Sequence, residues 1–173
     1  RPLVLVSFST TFQNHLGPLQ RVIDALATLP VKAVVTLGGS IYADEVEPAP
    51  NVALLGSAPH APIMAEAAVV VCHGGHGTVM KALAAGRPML VIPHGRDQND
   101  NAARVAERGA GIVLPPLASA AEIAHAVRRI LAEPGFAASA ARLGADVRRE
   151  AAETPVFAML EGLAACGTLR RAA

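Results

Sequence analysis

Apolar residues recur along the chain in short runs separated by segments with helical periodicity. The runs are rich in Val, Leu and Ile and lack polar alternation, which is typical of strands buried on both faces of a sheet. They predict six strands, at 3–8, 31–37, 52–55, 69–71, 89–92 and 111–114.

The segments between the strands carry apolar residues three or four positions apart, which predicts helices. In the helix expected to open near Thr78, we predict that Met80, Leu83 and Ala84 form the inner face. Ser119 predicts a helix start with a capping box. The other helices are expected at 16–26, 60–67, 99–108, 135–152 and from Thr154-Pro155 as N-cap and first position.

Alternating strands and helices predict an α/β fold with a parallel sheet and right-handed crossovers. We expect a Rossmann-like sheet of about six strands with helices on both faces and the order 3-2-1-4-5-6. At 173 residues, positions 1–173 form one domain.

Composition narrows the function classes. A net charge of +1 and five aromatic residues argue against a nucleic-acid surface. Two cysteines, Cys72 and Cys166, suit a reducing compartment. No apolar run reaches the about 18–20 residues of a membrane span, so we predict a cytoplasmic protein. The first residue is Arg1 rather than Met, which suggests a piece of a longer chain, although processing is an alternative.

A glycine-rich turn follows the fourth strand and leads into a helix. Backbone N–H groups at a helix N-terminus are unpaired and carry partial positive charge, which suits a phosphate. The N–H groups expected to bind it belong to Gly75, His76, Gly77 and Thr78.

Asp97 and Gln98 follow the fifth strand, so they belong at the same carboxyl edge of the sheet. A carboxylate beside an amide suits sugar hydroxyl groups. As an alternative, Asp97 is the N-cap of the next helix. An anion site next to hydroxyl-binding groups suggests a nucleotide sugar.

The same stretch closely resembles the donor-binding signature of nucleotide-sugar glycosyltransferases, a family that includes plant and bacterial natural-product enzymes. Their pattern is approximately H-C/G-G-x-G/N-S/T-x-x-E, then G-x-P, then P-x-x-x-D-Q-x-x-N-A. This chain has 73–78 as HGGHGT, 86–88 as GRP, and Pro93 followed by Asp97-Gln98 and Asn101-Ala102. The resemblance implies one half of a GT-B fold, similar to bacterial enzymes of the macrolide or enediyne type.

By this resemblance, His73 faces the donor diphosphate, and Asp97 and Gln98 contact the sugar. Thr78 touches phosphate, although an N-cap role explains it as well. Ser9 and Thr10 at the end of the first strand approach the diphosphate, although ordinary turn chemistry also explains them. His15 is expected to be a solvated or interdomain histidine rather than a ligand.

The nucleoside-binding residues implied by the resemblance are Ser57, Ala58, His60 and Lys81. Ser57 replaces the tryptophan that stacks on the base in the family. Lys81 replaces a glutamate that accepts hydrogen bonds from ribose; lysine only donates. Three explanations of Lys81 are open. It faces a phosphate, or the donor is a deoxyribonucleotide such as a dTDP-sugar with no 2′-hydroxyl to bind, or the lysine is solvated and has no role in binding.

The resemblance implies inverting, metal-independent transfer from a dTDP- or UDP-sugar to a hydroxyl of a small-molecule aglycone. We expect no cofactor, and no zinc at Cys72, His73 and His76, because a second ligand pair is missing. No catalytic residue is assigned to this chain; the base is expected in an N-terminal acceptor-binding domain, against which the last helix, about 154–166, packs.

Two alternatives remain open. One is a free-standing donor subunit of a two-subunit N-acetylglucosaminyltransferase. The other is a non-catalytic nucleotide-binding or interaction module.

Overall fold

The computed structural model describes residues 1–8 and 15–165 and contains a six-stranded parallel sheet. The strand order is β3-β2-β1-β4-β5-β6, which confirms the predicted Rossmann-like α/β fold. The strands are β1 (Leu3–Ser7), β2 (Lys32–Thr36), β3 (Val52–Leu55), β4 (Ala67–Cys72), β5 (Met89–Val91) and β6 (Gly111–Val113).

Seven α-helices accompany the sheet in the described residues, together with one 3₁₀ turn at Ala43–Glu45. The helices are α1 (Leu16–Ala27), α2 (His60–Glu66), α3 (His76–Ala84), α4 (Gln98–Glu107), α5 (Ala120–Ala132), α6 (Pro134–Glu153) and α7 (Val156–Ala165).

The central strand β1 contributes to a separate core on each face of the sheet. Val4 and Val6 pack with α1 and α5, whereas Leu5 packs with α2, α3, α4 and α6. Successive strand residues point to opposite faces, so a run that is apolar at every position requires helices on both sides. The apolar run of β1 is unbroken because helices cover the strand on both faces of the sheet.

Helix α3 differs from its prediction. It begins at His76 rather than near Thr78, and its buried residues are Val79 and Ala82. The predicted inner face of Met80, Leu83 and Ala84 is only half-buried. Helix α3 packs against α6 and α4 as well as β4. Met80 and Leu83 line an open cavity between α3, α4 and α6, which leaves them half-buried.

The capping box at Ser119 is confirmed: its backbone N–H donates to Glu122, and the Glu122 N–H donates to the Ser119 hydroxyl. The predicted N-cap role of Thr154 is wrong. Thr154 ends α6, and its Oγ1 donates to the Glu150 carbonyl at 2.6 Å. A hydroxyl that bonds back to the preceding turn ends one helix instead of starting the next.

Helix α7 carries large apolar side chains that are exposed. Phe157 is 81% exposed, and every side chain of α7 from Val156 to Leu163 is exposed. That this helix packs against an N-terminal domain, as the resemblance implies, stays a prediction. Over 1–8 and 15–165, no helix has both the length and the apolar character needed to cross a membrane.

Gly144 allows α6 to approach α3 closely, because a Cβ there would collide with the Leu83 carbonyl oxygen. We expect Gly144→Ala to lower the free energy of unfolding by about 1–3 kcal/mol through overpacking. Gly135→Ala is the matched control in the same helix, since nothing lies within 4 Å of its Cβ position. Urea denaturation measures both, and equal stabilities would contradict a tight α3–α6 contact.

Candidate functional site

The candidate site lies where β1, β4 and β5 end together. Ser7 of β1 is level with Cys72 of β4, and Cys72 is level with Val91 of β5. His73, directly after β4, and His94, in the loop after β5, therefore lie at the same carboxyl edge.

The glycine turn is shaped by close contacts. Gly74 has φ +87°, and a Cβ there would lie 2.9 Å from Val91 Cγ1. Gly75 is the N-cap of α3. The N–H groups of Thr78 and Val79 both donate to the Gly75 carbonyl, at 3.0 and 3.1 Å.

The first turn of α3 therefore retains two N–H groups for a ligand, those of His76 and Gly77, which no hydrogen bond within the described residues uses. The N-cap explanation of Thr78 is wrong, because Gly75 holds that position. Its N–H is used inside the turn, so a phosphate contact by Thr78 would come from its half-buried side chain.

The His73 ring lies over Gly75, where an added Cβ would be 2.9 Å from its Cε1. Its Nδ1 is buried and has no hydrogen-bond partner within the described residues. Burial lowers the pKa of His73, while the Ser7 backbone and the Asp97 carboxylate act in the opposite direction. The imidazole is thus held neutral where it lies against the turn.

Asp97 and Gln98 are adjacent in sequence but face different surroundings. Asp97 is exposed and occupies the N-cap position of α4 without a capping hydrogen bond from its side chain. Gln98 is only 2% exposed, and its Oε1 accepts from the His94 N–H at 2.7 Å. Asp97 is open to a ligand, whereas a sugar contact by Gln98 stays a prediction.

Asn101 connects the turn with the loop after β5, a role that the sequence interpretation missed. Its Nδ2 donates to the Gly74 carbonyl and to Asp97 Oδ2, both at 2.9 Å. Asn101 is 8% exposed. The available signal was its spacing, since a residue four positions after Asp97 lies one helical turn away.

Two further histidines, His15 and His94, lie beside His73 and were not predicted there. His15 is 2% exposed, so the expectation of a solvated or interdomain histidine is wrong. The Phe8 ring packs against both, with centroids 6.0 Å from His15 and 5.5 Å from His94. The signal for His94 was its position in the loop after a buried strand, three residues before Asp97.

The pKa of His94 is lowered to about 4, chiefly by burial and then by the neighbouring His15 and His73. Both ring nitrogens of His94 are buried without a hydrogen-bond partner in the described ranges. The pKa of His15 is also lowered, by burial first and then by His73.

Among the predicted nucleoside residues, His60 lies at the ends of β1 and β2, with its Nε2 3.5 Å from Ser7 Oγ. His60 Nε2 is 3.1 Å from Thr36 Oγ1, and burial and then Lys81 lower its pKa. Ser57 and Lys81 are exposed and Ala58 is half-buried. The structure thus places Lys81 close enough to His60 for its charge to act on the His60 ring. The predicted diphosphate residues Ser9 and Thr10 lie outside the described residues.

No group of three or more His, Cys, Asp or Glu side chains in residues 1–8 and 15–165 is arranged to hold a metal ion. Burial raises the pKa of the Cys72 thiol to about 11. Without a metal ion, Cys72 is therefore a neutral core residue.

A family profile described as the C-terminal domain of proteins like erythromycin biosynthesis protein CIII matches residues 20–163. The chain belongs to this family. Its relatives are natural-product glycosyltransferases, as the resemblance implied.

Elloramycin glycosyltransferase ElmGT of Streptomyces olivaceus is 36% identical over 167 residues, covering 92% of this chain and 41% of ElmGT. Among solved structures, the calicheamicin glycosyltransferase CalG4 is 31% identical with a TM-score of 0.83, over 94% of this chain and 43% of CalG4. The glycosyltransferase VinC in complex with DTDP is 28% identical with a TM-score of 0.74, over 86% of this chain and 38% of VinC. The chain thus spans less than half the length of these relatives.

We expect Asn101→Ala to loosen the turn, because the Gly74 carbonyl loses its donor. The free energy of unfolding should fall by about 1–3 kcal/mol. Asn99→Ala, an exposed position in the same helix, should change it by less than about 0.5 kcal/mol. Guanidinium denaturation compares the two, and an unaffected Asn101→Ala would show that this contact does not hold the turn.

A neutral buried histidine makes stability depend on pH. Since the pKa of His94 lies at about 4, below its ordinary 6.5, the unfolded chain binds more protons between these values. The stabilisation of the fold by neutral His94 is therefore complete above pH 6.5 and is lost as the pH falls towards about 4.

His94→Phe keeps a ring against Phe8 and removes this titration. We expect its free energy of unfolding to fall less than that of the unchanged chain between pH 7 and pH 4.5, by on the order of 1–2 kcal/mol. Denaturation at the two pH values tests this, and parallel losses in both proteins would contradict a neutral His94.

Proposed function

We propose that this chain is the donor-binding half of a glycosyltransferase that moves a sugar from a dTDP- or UDP-sugar to a hydroxyl of a small-molecule natural product. The observation that carries the proposal is the glycine turn at the N-terminus of α3, with His73 folded over Gly75 and exposed Asp97 alongside. Its membership in a family of natural-product glycosyltransferases supports the reaction class.

The proposed task of the turn is to stabilise the departing nucleoside diphosphate. The N–H groups of His76 and Gly77 and the His73 ring donate hydrogen bonds to diphosphate oxygens, with Gly75 allowing their close approach and Thr78 adding its hydroxyl. One such preorganised donor is worth about 2.7–4 kcal/mol in a transition state. The proposal needs no metal ion at this step and includes Ser9 and Thr10 as further diphosphate contacts.

We assign the sugar hydroxyls to Asp97 and Gln98. The exposed Asp97 carboxylate is oriented by Asn101 and can accept two hydroxyl protons. Gln98 holds the His94 N–H and so fixes the loop that carries Asp97. Transfer with inversion also needs a base for the acceptor hydroxyl, which we place in an N-terminal domain that binds the aglycone.

We assign the nucleoside to the side of the site formed by His60, Ala58, Ser57 and Lys81. Lys81 is exposed and close enough to His60 to lower its pKa. Because an ammonium group cannot accept a hydrogen bond from a ribose 2′-hydroxyl, the proposal favours a deoxyribonucleotide. The complex of the related VinC with DTDP supports this preference.

The exposed face of α7 is the proposed contact with the N-terminal domain. Exposed apolar surface of this kind marks an interaction site, and Phe157, Met159 and Leu163 are each more than half exposed. The relatives are more than twice as long as the matched region. We therefore expect the chain to bind donor but not to turn over alone.

Calorimetric titration with dTDP and UDP in EDTA tests the proposal. We expect binding of both and tighter binding of dTDP. Gly75→Ala should weaken dTDP binding at least about tenfold, because the added Cβ displaces His73, whereas Gly135→Ala should bind like the unchanged chain. Equal affinity of all three proteins for dTDP would reject the turn as the diphosphate site.

The sugar assignment is tested in the same titration with dTDP-glucose. Asp97→Ala should leave the affinity for dTDP within about twofold and remove any gain in affinity from the glucose. If the gain persists, Asp97 does not contact the sugar. If glucose gives the unchanged chain no gain, a non-catalytic nucleotide-binding module becomes the better interpretation.

A further inference from the structure

Three histidine rings converge at the carboxyl edge of the sheet from three different elements. His15 precedes α1, His73 follows β4 and His94 follows β5. The centroids of His15 and His94 are 6.3 Å apart, and Phe8 closes the group against both. His73 is close enough to lower the pKa of each of the other two.

The charges around these rings come from every neighbouring element. Arg21 of α1 lowers the pKa of His94, although its guanidinium is also bound to the Ala118 and Pro116 carbonyls. Asp97 at the start of α4 raises the pKa of His73. The Ser40 hydroxyl, after β2, lies 3.3 Å from His15 Nε2. The remaining neighbouring groups are the neutral Cys72 thiol of β4, the exposed His76 of α3, and Lys81 of α3, which acts on His60.

Without ligand, the pKa of all three histidines is lowered, with burial as the largest cause for each. These three rings are therefore mostly uncharged at neutral pH. A nucleotide sugar brings two negative charges on its diphosphate, and an opposite charge within about 4–6 Å favours the protonated form of a histidine.

We propose that His73 takes up a proton from solvent when a nucleotide sugar binds, while His15 and His94 stay neutral beside it. The proton adds to a ring nitrogen of neutral His73, and no other bond changes. The inference rests on the proposed donor site.

His73 is the acceptor of this proton because of its position. Its ring lies over the N-cap of α3, where the diphosphate is expected, and it is the member of the group whose pKa Asp97 raises. His15 and His94 are positioning residues, because they pack around Phe8 and act only through His73. Their neutrality matters, since a second imidazolium in the group would oppose protonation of His73.

The consequence is affinity that depends on pH. The complex binds more protons than the free chain, so lower pH strengthens binding. Between the pKa of His73 in the free chain and its higher value in the complex, the dissociation constant should rise about tenfold per pH unit. Outside this window it should be constant.

The probe is dTDP-glucose, because a diphosphate esterified at both ends has no phosphate ionisation near neutral pH. A terminal phosphate such as that of dTDP titrates near pH 6 and would obscure the effect. Calorimetric titration from pH 5.5 to 8.5, in two buffers with different heats of ionisation, gives both the affinity and the number of protons taken up. We expect uptake of up to about one proton.

Variants assign the proton to a residue. His94→Phe and the exposed control His125→Gln should retain the uptake, and His73→Gln should bind more weakly without it. Uptake that survives in His73→Gln but disappears in His94→Phe would overturn the assignment. If His73→Gln binds too weakly to measure, NMR titration of the His73 ring with and without dTDP-glucose replaces it, and an unchanged pKa overturns the inference.

The two proposals fail differently. No binding of dTDP-glucose at any pH would reject the donor site itself. Binding with the same affinity at all pH values and no proton uptake would leave the donor site intact and reject only the proton-linked role of His73.

Discussion

The hydrogen bonds of the Asn101 amide are the constraint on which the geometry of the site depends. One nitrogen atom joins the carbonyl of Gly74, in the turn after β4, to the carboxylate of Asp97, in the loop after β5. This nitrogen couples the conformations of two loops that follow neighbouring strands. With it, the opening of the turn and the exposed carboxylate are held in one fixed relation, which is the preorganisation that an electrostatic binding site requires.

Burial gives the site its second property, the absence of positive charge on its histidines. The Phe8 ring and the sheet edge remove water from His15 and His94, and the His73 ring is folded back onto Gly75. In such a site the backbone dipoles at the start of α3 supply fixed positive potential under the proposed diphosphate. Side-chain charge can be added there, but only when a bound anion compensates for the lost hydration.

The fold could be predicted well from the sequence because its signals are local and repeated. The valines of β4 define a doubly buried strand, and the Ser119 capping box marks a helix start by itself. The site could be predicted in outline, since the ends of β4 and β5 must meet in a parallel sheet. What could not be predicted depends on contacts between distant segments: His15 is buried by Phe8, and Gln98 turns inward to the His94 N–H. The inner face of α3 was missed because α6, more than fifty residues later, covers one side of that helix.

The glycine contact between α6 and α3 has a mechanical consequence. Gly144 lies against the carbonyl of Leu83 and against Gly86, at the end of α3 opposite the glycine turn. Helix α6 continues through Thr154 and Pro155 into the exposed α7. At Gly144 the two backbones leave less room than one Cβ needs, and the Arg148 guanidinium lies beside the contact. A shift of α6 at this contact therefore moves the C-terminal end of α3, the helix whose other end forms the candidate site.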